Sequence, residues 1–138
     1  MQALSVIGAV YGEIMIDFQN SSIFKLSEAN PQEILKDIHP LFVQGEELIV
    51  AFKGMRDYVA FTNKRIIAVN VQGFTGTKRD YTSMPYSKIQ SFSVESAGTW
   101  DLDGELDLWF SGLGKVRFEF KGKVDVRALA RIIGTHVL

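Results

Sequence analysis

The chain contains no cysteine, which removes disulfide frameworks, thiolate metal sites and cysteine nucleophiles and leaves nothing that needs an oxidising compartment. Cytoplasm is the expected location. Histidine is nearly as scarce: His39 and His136 are the only two in 138 residues, each at an expected helix end and without the spacing of a zinc site or a catalytic triad. Both read as structural or solvated. No glycine-rich phosphate cradle and no glycine-flanked serine nucleophile occurs, so neither an enzyme nor a bound cofactor or metal is expected. An excess of charge is missing too. Fifteen Lys and Arg stand against 16 Asp and Glu, for a net charge of −1 and a pI near 6.1, which argues against a nucleic-acid binder working through phosphate neutralisation. No basic residue precedes Lys25, and the apolar stretch Ala3–Tyr11 is followed by Glu13 and Asp17. A secretory leader needs a positive start and a spanning helix needs about 20 apolar residues, so neither is expected.

What is present is apolar. Hydrophobic residues make up 46% of the chain and the mean hydropathy is +0.07, high enough to suggest that some apolar surface is shared with partners. One domain suits this length. Leu4, Ile7, Tyr11, Ile14 and Phe18 recur at helical spacing and predict a helix over Ala3–Ile16, with Gly8 and Gly12 leaving a groove for another backbone. Asn30-Pro31-Gln32-Glu33 is a helix start: a capping Asn, Pro at the first helical position and Glu three residues after the cap. That helix carries Ile34, Leu35 and Ile38 on one face and should stop near His39, before Pro40. Residues 20–29 read as linker.

From Glu47 the period changes to two, or to short apolar runs bounded by turn residues, as in an antiparallel β domain. Seven strands are expected, near Glu47–Phe52, Tyr58–Thr62, Arg65–Val71, Asp80–Pro85, Ile89–Ser96, Glu105–Phe110 and Lys115–Lys121. In the last two, Leu106, Leu108 and Phe110, and Val116, Phe118 and Phe120, alternate toward the core. Val124, Ala128, Leu129, Ile132, Ile133 and Val137 return to helical period behind Asp125, predicting a closing amphipathic helix.

Phe61–Val69 (FTNKRIIAV), Met84–Gly98 (MPYSKIQSFSVESAG), Asp101–Gly112 (DLDGELDLWFSG) and the terminal His136–Leu138 (HVL) resemble the bacterial pleckstrin-homology domain family. The resemblance implies a mainly β fold: a barrel of two near-orthogonal antiparallel sheets, seven strands in all, capped by a C-terminal α-helix. The helical extension would occupy residues 1–42 and the pleckstrin-homology-like domain residues 43–138. It also implies stand-alone cytoplasmic proteins that form ring-like homo-oligomers. Fold alone does not give a ligand.

Related domains that bind phosphoinositides crowd Lys and Arg around a long first hairpin loop. Here that loop is short, Lys53 to Asp57, and the candidate anion or headgroup residues are Lys53, Arg56, Lys64, Arg65, Lys78 and Arg79. A membrane partner is expected at the surface only, as the alternative to protein binding. A second candidate surface comes from charge polarity. Acidic residues run from Glu95 to Asp107 with no base between Lys88 and Lys115, after which Lys115, Arg117, Lys121, Lys123, Arg127 and Arg131 dominate. Glu105 and Asp107 can pair across one hairpin with Lys115 and Arg117; alternatively an acidic face of one copy meets a basic face of the next. Trp109 shares the outward phase and Trp100 sits in the preceding loop, so both join this candidate interface. Asp101-Leu102-Asp103-Gly104-Glu105 resembles a calcium loop only superficially and reads as a turn into a strand. The expected function is a self-associating interaction scaffold.

Overall fold

The computed structural model describes residues 23–96 and 103–138. The expected helix over Ala3–Ile16, Trp100 and Asp101 lie outside the described residues. Within them run β1 (Ile23–Glu28), α1 (Pro31–Ile38), β2 (Leu48–Lys53), β3 (Asp57–Thr62), β4 (Arg65–Gln72), β5 (Lys78–Pro85), β6 (Ile89–Glu95), β7 (Gly104–Phe110), β8 (Gly114–Phe120) and α2 (Val126–Val137). Single 3₁₀ turns follow α1 and β5.

The eight strands form one order, β5-β4-β3-β2-β1-β8-β7-β6. Two antiparallel meanders, β2 to β5 and β6 to β8, meet at β1, which lies antiparallel to β2 and parallel to β8. An eighth strand therefore stands where the sequence suggests linker. Among its described side chains only Leu26 is buried. The strand's backbone bonding to the two sheets continues in Ala29 N–H to Ala51 O at 2.9 Å and Lys121 N–H to Leu26 O at 2.8 Å. Lys25 takes a left-handed φ of 60° where the β1–β8 pairing shifts between Ile23 and Leu26. For a residue bearing a Cβ this costs roughly 1–2 kcal/mol, and it lets β1 leave β8 and join β2.

The helix α1 starts as its sequence dictates, with Asn30 Oδ1 accepting from Gln32 N–H at 3.0 Å and Pro31 in the first turn. It buries Ile34 and Ile38 against Ala51, Tyr58, Ala60, Ile67 and Val69, on the outer side of β2 to β4. The inner side of the same strands supplies Phe52, Val59, Phe61, Ile66 and Ala68 to the main core. Burial on both faces explains why Tyr58–Phe61 and Ile66–Val69 read as unbroken apolar runs. Across the interior the Phe52 ring meets Phe120 at 4.8 Å and Phe61 at 5.9 Å between centroids, both edge-on, the arrangement favoured by the ring quadrupoles. The predicted closing helix is α2, capped by Asp125, whose carboxylate accepts from Ala128 N–H at 3.1 Å. Val126, Leu129 and Ile133 are buried in the main core, each contributing about 1.5–3 kcal/mol by burial.

A buried ion pair locks the end of the sheet at the β3–β4 turn. The Glu46 side chain is fully buried and accepts from Arg65 Nε and Nη2, both at 2.9 Å, from Thr62 Oγ1 at 2.7 Å and from Val43 N–H at 3.1 Å. Arg65 also donates to Leu41 O at 2.7 Å and to Ser83 Oγ at 2.8 Å. Tyr86, whose ring stacks on His136 of α2 with centroids 4.8 Å apart, donates its hydroxyl to Thr62 O at 2.7 Å. The loop before β2, the β3–β4 turn, β5 and α2 are thereby connected.

Burial opposes ionisation of Glu46, yet the hydrogen bonds from Arg65, Thr62 and Val43 and the charge of Arg65 outweigh it and hold the carboxyl below its ordinary 4.5. A carboxyl depressed in the folded state adds stability that is complete above its unfolded value and is lost as pH falls through its folded one. Glu46→Ala should cost about 3 kcal/mol at neutral pH, because it strands a partly buried guanidinium. In urea titrations it should also flatten the loss of stability below pH 4.5. An unchanged acid slope would mean that other carboxylates dominate. Tyr58 offers the opposite expectation: its buried hydroxyl has no hydrogen-bond partner among the described residues, so Tyr58→Phe should raise stability by about 1 kcal/mol in the same assay.

Candidate functional site

The strand geometry divides the six candidate anion residues into two groups. The β2–β3 loop and the β4–β5 loop lie side by side at one end of the sheet, linked by Val71 N–H to Arg56 O at 3.2 Å and by an Arg56 guanidinium bond to Gly73 O at 2.5 Å. Lys53, Arg56, Lys78 and Arg79 belong to this end. Lys64 and Arg65 sit in the turn at the far end of β3, roughly 17 Å away at the usual rise per strand residue. Arg65 is consumed by Glu46. At the loop end Lys53 pairs with Glu33 at 3.2 Å and Arg79 with Asp37 at 3.1 Å, both partners coming from α1. These are surface pairs of the weak kind.

Two cations that sequence reasoning did not select join Lys53. Lys25 and Lys121 line, with Lys53, Gly54 and Met55, a hollow of about 600 Å³ beside the β2–β3 loop. They arrive there because β1 pairs with both β2 and β8, a proximity that no sequence pattern announces. Met55 and Phe74, at the tips of the two neighbouring loops, are wholly exposed.

The second candidate surface is the outer face of β7 and β8. Asp107 lies opposite Arg117 in the strand register, and Arg117 Nε and Nη2 donate to its two carboxylate oxygens at 2.8 and 2.9 Å. Glu105 stands 3.7 Å from the same guanidinium. The hydrogen bond to Asp107 leads the causes that raise the Arg117 pKa further, against a smaller cost of burial, so the side chain is cationic at any working pH. Much of the polarity read from the sequence is thus spent inside one hairpin. Lys115 instead faces Trp109, which is half-buried, and Glu105 faces Glu119 and Glu95 on its two neighbouring strands. Carboxylates opposite one another on adjacent strands repel, so this row is left short of positive charge. Of the calcium-like loop, Asp103 Oδ1 accepts from Gly122 N–H at 3.1 Å, and no cluster of three metal-ligating side chains occurs among the described residues. No helix among them is long and apolar enough to cross a membrane.

Comparison with known proteins agrees with this architecture. Residues 17–137 match the family described as "Bacterial PH domain". The chain is 43% identical over 110 residues to "Uncharacterized protein YjqA" of Bacillus subtilis, covering 78% of this chain and 86% of the relative. Among solved structures it is similar to a DUF1696-family protein with a pleckstrin-homology domain from Shewanella loihica, at a TM-score of 0.72 and 39% identity, covering 83% of this chain and 98% of that one. A pleckstrin-homology domain from Shewanella amazonensis is similar at a TM-score of 0.61 and 36% identity, covering 96% and 98%. The eight-stranded sheet with its C-terminal helix is the fold of these proteins, and the chain belongs to the bacterial pleckstrin-homology domain family.

Proposed function

We propose that this protein is a non-catalytic interaction module that assembles with copies of itself into a ring and presents a repeated surface to another protein. The observation that carries the reading is the open sheet: its order ends at β5 on one side and at β6 on the other, and neither strand has a second neighbour among the described residues. Unpaired edges are templates for another strand unless charge or proline protects them. Here the middle of each edge, Tyr81–Met84 and Gln90–Val94, carries no charged residue. Pairing β5 of one copy with β6 of the next joins two different edges, and a contact between unlike surfaces closes into a ring when its rotation permits. The half-buried Trp109, beside Glu105, Asp107, Lys115 and Arg117, then lies on the face that β6 borders, where a partner can reach it.

Light scattering on the full chain at micromolar concentration should give a mass several times 15.5 kDa. Introducing lysines at the exposed Ser91 and Ser93 of β6 should reduce that mass to the monomer's without unfolding the chain. A monomeric wild type would overturn the reading.

A second reading is favoured by one observation, the wholly exposed Met55 and Phe74 flanked by Lys25, Lys53, Arg56 and Lys121. Apolar tips beside four cations, which outnumber the neighbouring Glu28, Glu33 and Asp57, suit the surface of an anionic membrane, each cation near the surface contributing about 1 kcal/mol. Sedimentation with phosphatidylserine-rich vesicles should then carry the protein down in a salt-sensitive manner, and the double variant Met55→Glu with Phe74→Glu should remain in the supernatant. Equal sedimentation of wild type and variant would discard it.

A further inference from the structure

Tyr58 is only 8% exposed, and its hydroxyl oxygen is almost wholly buried and has no hydrogen-bond partner among the described residues. Buried phenols are normally paired. Tyr86 conforms, donating to Thr62 O at 2.7 Å, and even the more exposed Tyr81 donates to Asp37 at 2.6 Å. Tyr58 lines a crevice of about 210 Å³ with Glu33, Ile34 and Asp37 of α1, Lys53 of β2 and Arg79 of β5. Glu33, Lys53 and Tyr58 also border a groove of about 460 Å³ between the two loops, where Met55, Val71 and Phe74 supply apolar wall.

The hydrogen-bonding capacity of the crevice is lopsided. Asp37 is engaged at both oxygens, Oδ1 by Tyr81 and Oδ2 by Arg79. Glu33 holds Lys53 at 3.2 Å, but both side chains are at least half exposed, and such a pair is readily exchanged for another partner. Apart from the second oxygen of the exposed Glu33, what remains is donors: the Tyr58 hydroxyl, the further ammonium hydrogens of Lys53 and the further N–H groups of Arg79. A ligand that completes the crevice must bring acceptors. Because Glu33 and Asp37 line the same space, a doubly charged phosphate would meet two carboxylates, whereas a single carboxylate can replace that of Glu33 on Lys53.

We propose that this crevice binds a small organic carboxylate with an apolar body, its carboxylate held by the Tyr58 hydroxyl, Lys53 and Arg79 and its body laid against Met55, Val71 and Phe74. The site lies under α1 on the outer face of the sheet and does not depend on self-association. Because Met55 and Phe74 also serve the membrane reading, the test uses vesicle-free buffer. Calorimetric titration of the full chain with sodium hexanoate should show saturable binding, with hexanol and inorganic phosphate at least tenfold weaker. Tyr58→Phe, which deletes only an unpaired hydroxyl, and Lys53→Gln should each weaken hexanoate at least tenfold. Lys64→Gln, at the opposite end of the sheet, should leave it unchanged. No hexanoate binding at about 1 mM, hexanol or phosphate binding as tightly as hexanoate, or undiminished binding by Tyr58→Phe would each overturn the proposal.

Discussion

The fold hangs on the double pairing of β1. Without this strand β2 and β8 would both be edges, and the two meanders would be separate sheets, each with an apolar inner face turned to water. One segment that is antiparallel to β2 and parallel to β8 removes both edges and encloses Phe52, Phe61, Phe118 and Phe120 in a single core. The strained backbone at Lys25 is tolerated because hydrogen bonding on both sides fixes the angle there. The same join brings Lys25 and Lys121 to Lys53, so the step that closes the core also sets the charge beside the β2–β3 loop.

A second layer follows from burying β3 and β4 on both faces. Once the inner face is sealed, the outer apolar face needs its own cover, and α1 supplies it with Ile34 and Ile38. A helix of eight residues does not fill that face completely. Tyr58, large and carrying a hydroxyl, is left at the margin, between the end of β2, the start of β5 and the helix. Glu33 and Asp37 point from α1 to Lys53 and Arg79 on the strands, so the charge around Tyr58 comes from the contact that holds the helix down. Cover and crevice share their residues.

How much of this is legible in the sequence depends on how local the cause is. The Asn30 cap, the Asp125 cap, the alternation in β7 and β8 and the seven strands from Leu48 onward rest on neighbours in the chain, and the expected elements match the observed ones within a residue or two. β1 lacks such a cause, because it is stabilised by partners about 25 and 95 residues distant. Arg65 was legible as a turn cation and illegible as a partly buried one, since nothing near it predicts that Glu46 accepts from two of its nitrogens. The clustering of Lys25 and Lys121 with Lys53 and the unpaired hydroxyl of Tyr58 share that character. Each is a property of places where distant segments converge, while propensity and periodicity describe segments one at a time.

The fate of each cation is decided by what stands opposite it. Arg117 faces Asp107 across one rung of a hairpin, and Arg65 meets Glu46 behind the β3–β4 turn. Both are fork-shaped donors satisfied by a carboxylate at two points, and both are thereby removed from any role with an outside anion. Lys53 is held by an exposed carboxylate of a short helix and Arg79 by a half-buried one, through single contacts longer than 3.0 Å, which water and salt weaken. A side chain in the first condition is structural whatever its sequence context, and one in the second can exchange its partner at little cost. Lysine and arginine in this chain therefore divide by the geometry of their acceptors more than by exposure or by position in a motif, and the exchangeable group gathers at the end of the sheet where α1 stops short of the loops.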